Sequence, residues 1–99
     1  MSSETDFENR INNAICDAIV IGYRPQILIT KKAIYGTLST VKSLINSKKI
    51  TDGFTNLWEL NRLDLSLENI IQEIEWKDLF TEDERIKAKK RLRDYGFII

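Results

Sequence analysis

The chain has 99 residues, a length that suits one domain and leaves little room for a second hydrophobic core. Fifteen Lys and Arg balance fifteen Asp and Glu, and 42% apolar with 30% charged residues is the composition of a folded chain. With no histidine, one cysteine and four glycines, most familiar catalytic and metal-binding constellations are excluded at the outset. A domain this small gains stability from added buried area, so a protein partner or homodimer is expected.

In chain order, Phe7, Ile11, Ala14, Ile15, Ala18 and Ile19 form the stripe of an amphipathic helix over about Thr5 to Ile21. Asp6 and Glu8 suit its first turn, and Gly22 its stop. The next stretch, AIVIGYRPQILIT, is rich in β-branched residues and can be drawn as a short hairpin around Tyr23 to Gln26. A helix is favoured there, because Pro25 suits a first helical position and Gly36 a terminator.

Thr37 is a candidate cap for a helix with Leu38, Val41, Leu44 and Ile45 on one face, ended by the polar stretch Asn46 to Lys49. This predicts an αα-hairpin over 25–46. Asp52 is a candidate cap for a short helix carrying Phe54, Leu57 and Trp58. After Ser66, residues Leu67, Ile70, Ile71 and Ile74 fill i, i+3, i+4 and i+7, the most regular helical period in the chain.

Thr81 and Glu84 form a capping-box pattern that opens a peripheral helix over 82–94, acidic at its start, basic at its end and stopped by Gly96. The expected fold is therefore all-α, a compact single domain of five to six short helices spanning 1–99. The amino-terminal residues MSSETDFENR are acidic and polar where a secretory signal would be basic and then apolar. Cys16 has no partner for a disulfide, and the longest apolar stretch is far short of a bilayer span. A cytoplasmic protein without a membrane partner is expected.

The run DGFTNLWELNRLDLSLE at 52–68 resembles the signature of a family of small, uncharacterised bacterial helical proteins and appended domains. IGYRPQILI at 21–29, YGTLSTVKSLI at 35–45 and LFTEDERIKAKKRLRDYGF at 79–97 are similar to the family's other blocks. The chain departs from that pattern at Asn61 and near Thr37, where the family commonly has glycine, and near Arg85, where it has an aliphatic residue. The resemblance implies a bacterial helical domain and carries no catalytic residues or cofactor with it.

Tested for chemistry, the chain yields little. Asp64 and Glu68 are four apart, but a helix entry and a solvated acidic face explain them better than a catalytic or metal-binding dyad. Thr51-Asp52-Gly53 lacks the alternating oxygen ligands of a calcium loop, and the isolated glycines make no phosphate loop. Cys16 lies in an apolar stretch and reads as a buried small hydrophobe. Trp58, on the Phe54–Leu57 face, reads as core, and Trp76, flanked by Glu75, Lys77 and Asp78, as the better exposed anchor for a partner. No catalytic residue, metal ligand or cofactor is expected.

The charge is segregated along the chain: −3 over 1–17, +6 over 18–51, −8 over 52–84 and +5 over 85–99. Tyr23, Arg24, Lys31, Lys32, Lys42, Lys48 and Lys49, joined by Lys89, Lys90 and Arg93 of the last helix, are candidates for a partner or nucleic-acid surface. A helix-turn-helix centred on Gly36 fits poorly, since Ala33, Val41 and Leu44 each fall one position from where that motif wants them. The bland alternative is that basic and acidic segments neutralise one another in the fold. Two functions follow as expectations: a non-catalytic helical protein-interaction module, or a nucleic-acid-binding accessory domain.

Overall fold

The computed structural model describes residues 3–97. The described residues are helical, with no strand: α1 (Glu4–Val20), α2 (Gln26–Tyr35), α3 (Thr37–Ile45), α4 (Asp52–Glu59), the one-turn α5 (Leu67–Ile70) and α6 (Glu82–Asp94). Single 3-10 turns, Leu63–Leu65 and Ile74–Trp76, fill the path between α4 and α6. The radius of gyration, 12.4 Å, is close to the ~12.6 Å of a single globule of this length.

Local chemistry sets the helix ends. Ser3 caps α1 by accepting from the Asp6 N–H. Thr51, one residue before the expected Asp52, caps α4 by accepting from the Phe54 N–H at 3.2 Å. Thr81 and Glu84 form the anticipated capping box, each side chain accepting from the other's backbone N–H.

At the opposite ends, α1, α4 and α6 close the same way: the N–H two residues past the cap reaches back to the third-last helical carbonyl. The pairs are Tyr23 to Ala18, Arg62 to Leu57 and Phe97 to Leu92. This closure needs a left-handed residue just beyond the cap, supplied by Gly22, Asn61 and Gly96 at φ of 99°, 58° and 80°. The same turns direct Tyr23, Tyr95 and Phe97 inward.

Two apolar clusters result. The larger gathers Phe7, Ile11 and Ile15 of α1, Val41 and Ile45 of α3, Ile70 and Ile71, Trp76, Phe80, and Ala88 of α6. Phe7 sits edge-on to both Trp76 and Phe80, with ring centroids 5.3 Å apart in each case. The smaller joins Phe54 and Leu57 of α4 to Leu63 and Leu92, flanked by Tyr23 and Tyr95. The α2–α3 pair forms the expected hairpin, turning at Gly36 with φ 89°. Thr37 does not cap α3 with its side chain. Its hydroxyl donates to Glu8 Oε2 at 3.0 Å, tying the turn to α1.

Three further expectations fail. The period Leu67–Ile70–Ile71–Ile74 does not make a continuous helix. Gln72 and Glu73 already make tightened bonds to carbonyls three residues back, Glu73 turns extended, and Ile74 points to solvent. The break delivers Trp76 and Phe80 to Phe7, a packing gain that outweighs local periodicity.

The tryptophans exchange roles. Trp76 is 6% exposed, and its indole N–H donates to Glu73 Oε1 at 2.8 Å, whereas Trp58 is 46% exposed and lies edge-on to Tyr95. Trp76 is therefore a core residue and not an exposed partner anchor. Cys16 is also exposed, because the inward face of α1 passes through Ala14, Ile15 and Ala18 and leaves residue 16 outside it.

Candidate functional site

A concave region lies where α1, α2, the end of α3 and the start of α4 converge around a cavity of about 340 Å³. Its existence follows from small residues: α1 presents Ala14 and Ala18, one turn apart, to the larger Leu28, Phe54 and Leu57. Gly53 contributes as well. A Cβ there would stand 3.2 Å from the Tyr23 hydroxyl, so the missing side chain lets that hydroxyl approach the start of α4 closely.

Polar groups occupy two levels. Lys31, Lys49 and Asp52, all exposed, stand at the mouth. Glu68 is buried in the wall, its Oε2 accepting from Arg91 Nη1 at 3.2 Å. Burial raises the Glu68 pKa, and the Arg91 charge and hydrogen bond oppose that shift. The same guanidinium donates to the Leu44 carbonyl at 3.3 Å and to the Ser47 carbonyl, fixing the end of α3 and the adjoining wall.

The predicted basic surface is only partly assembled. Lys42 is 2.8 Å from Glu84 and lies over the Phe80 ring, Lys32 approaches Glu8 at 3.8 Å, and Lys90 pairs with Asp94 at 2.8 Å. The Arg24 Nε donates to Gln26 Oε1. Among the described residues, Lys31, Lys48, Lys49, Lys89 and Arg93 have no carboxylate within salt-bridge distance. Of the candidates, the structure brings Tyr23, Lys31 and Lys49 together at the cavity. It sends Trp76 to the core, and Lys89 lies instead with Gln72 and Ile86 on the outer side of α6.

Acidic and basic segments interleave, most closely at Glu84 and Glu68. Glu84 accepts from Lys42, Asn46 and the Thr81 N–H. Desolvation works against ionisation there, but these bonds outweigh it and lower the Glu84 pKa to about 2. Glu68 similarly neutralises Arg91. The acidic pair Asp64 and Glu68 is split, Asp64 going to Arg62 and Glu68 to Arg91. Among the described residues no cluster of three or more carboxylate or thiol side chains is arranged to hold a metal ion. No described helix is long and apolar enough to cross a membrane.

Sequence reasoning missed the Glu68–Arg91 pair and the Ala14–Ala18 opening. Signals for both were present: a glutamate inside the apolar period of residues 67–71, and two alanines four apart within a stripe of Phe and Ile. The chain matches no protein-family model, and searches of curated proteins and of solved structures likewise return no match.

Proposed function

We propose that the protein is a non-catalytic helical interaction module that engages a partner protein across the outer face of α2. The observation that carries this reading is that α2 has no buried side chain, yet presents Ile27, Ile34 and Tyr35 to solvent at 55%, 66% and 65% exposure. Ile27 and Ile34 are two turns apart with Lys31 between them, so they share one stripe. Monomeric proteins rarely leave such a stripe uncovered, and apolar patches with polar borders mark interaction surfaces. The bordering cations favour a partner surface that pairs apolar side chains with carboxylates.

Cross-linking from position 34, followed by identification of the captured chain and titration of the purified pair, tests the reading. Binding abolished by Ile34→Asp and weakened by added salt is the expected result. Sedimentation of the protein alone shows whether that partner is a second copy. A wild-type protein that neither self-associates nor binds a captured chain reproducibly overturns the reading.

One observation favours nucleic acid as a second reading. Lys87 donates to Asn46 and Arg91 to the Ser47 carbonyl, which brings α6 beside the segment bearing Lys48 and Lys49. Salt-dependent binding of an oligonucleotide at about 50 mM salt, reduced by reversing Lys31, Lys48 and Lys49 to glutamate, would support it. No binding at that ionic strength excludes it.

A further inference from the structure

We propose that the cavity between α1, α2 and α4 is a binding site for a single-chain amphiphile with an anionic head group. This goes beyond the α2 interaction face, with which the cavity shares Ile27 and Lys31, and its test reads a small ligand where that reading needs a partner protein.

Three observations lead there. The first is the shape: about 340 Å³ lies within the ~300–1,000 Å³ range of small-molecule sites, at the end suited to a short chain. The second is the lining. Ala14, Ala18, Leu28, Phe54 and Leu57 help make most of the lining apolar, so a ligand seated there is itself largely apolar.

The third is the placement of charge. Glu68, the acid in the wall, already has Arg91 as its counter-ion. At the mouth, Lys31 and Lys49 face a single acid, Asp52, and neither lysine has a carboxylate within salt-bridge distance among the described residues. The remaining charge is positive and sits at the entrance, where a chain buried tail-first leaves its head. Carboxylate and phosphate heads share this chemistry, and a free acid and a membrane lipid are its two sources. The volume of about 340 Å³, which accommodates a whole short chain, favours the free acid.

Calorimetric titration of the purified protein with hexanoate, octanoate and decanoate, each below its micelle concentration, tests the site. One saturable site is expected, with affinity rising about fourfold for each added methylene until the chain outgrows the cavity. Octylamine should bind at least tenfold more weakly than octanoate. The surface double variant Lys31→Gln/Lys49→Gln should weaken octanoate about tenfold and leave octanol unchanged. Ala18→Leu, which fills the cavity, should remove binding at an unaltered helical signal. Should that variant fail to fold, the rim variant and the chain-length series still decide the matter.

Three results overturn the proposal: no saturable binding of any acid, equal binding of octylamine, or affinity independent of chain length. Binding only to phosphatidylglycerol vesicles, with no free acid bound, overturns it as well, since a membrane surface needs no cavity.

Discussion

Lys42 Nζ lies 2.8 Å from Glu84 Oε1, joining the most basic segment of the chain to the most acidic one. Glu84 also completes the capping box of α6 and accepts from Asn46 at 2.7 Å, so one carboxylate fixes both a helix start and an interhelical contact. Glu84→Ala should destabilise the fold by about 3 kcal/mol, since it removes a cap and leaves Lys42 without its counter-charge. Chemical denaturation at neutral pH measures this, and Glu82→Ala, at an exposed position, should cost under about 0.5 kcal/mol.

The same residue predicts an acid transition. A carboxyl lowered from 4.5 to about 2 stabilises the native state above the unfolded value, and that contribution disappears as pH falls from 4.5 to about 2. Its size is at most about 3 kcal/mol and is reduced by solvent screening at the half-buried Lys42. Urea midpoints measured across pH 2–6 should fall steeply on the acid side for wild type, and much less for Glu84→Gln.

The tryptophans should separate spectroscopically. Trp58→Phe leaves Trp76 as the sole tryptophan, with blue-shifted emission and poor acrylamide quenching when indole is excited selectively, while Trp76→Phe leaves a red-shifted, readily quenched Trp58. Trp76→Ala should cost about 3–5 kcal/mol, as expected for truncation of a large core side chain. Loss of the Trp58 edge contact with Tyr95 should cost only about 0.5–1.5 kcal/mol beyond its area burial.

Asn61 is the non-glycine residue in the left-handed region among the described residues, at φ 58°. Asn61→Gly should be neutral or slightly stabilising, whereas Asn61→Val, with a branched Cβ in that conformation, should cost about 1–2 kcal/mol. Thermal melts of the two variants check this. The turn at the end of α4, closed by the Arg62 N–H on the Leu57 carbonyl, is the physical reason why glycine suits this position.

Cys16 should react with Ellman's reagent in the native protein as fast as an unhindered thiol, because it is exposed. Cys16→Ser should then change stability by less than about 0.5 kcal/mol. Protection from the reagent would contradict the placement of residue 16 on the outer face of α1.

What could be read from the sequence was whatever short-range chemistry decides. The α1 stripe, the Thr81–Glu84 capping box and the glycines after α1 and α6 are local devices, each complete within a few residues. What could not be read depends on partners distant in the chain. Ile74 continues a helical period, yet the helix stops because Trp76 packs on Phe7 and Glu73 receives both Arg10 and the Trp76 indole. Trp76 looked exposed from its charged neighbours, but in a 3-10 turn consecutive side chains face different directions. The cavity was equally hidden, since Ala14 and Ala18 leave a gap only where Leu28, Phe54 and Leu57 are brought opposite them.

Arg91 has a consequence for the order of assembly. It supplies donors to the Leu44 and Ser47 carbonyls from a helix more than forty residues later in the chain. The end of α3 and the segment carrying Lys49 therefore lack their partners until α6 has docked. During synthesis the amino-terminal helices can associate through Phe7, Ile11, Val41 and Ile45, but the wall containing Glu68 becomes fixed only when the final helix emerges. The cavity wall at Glu68 thus depends on the last helix, and a chain ending before α6 would leave that buried carboxylate without its Arg91 partner.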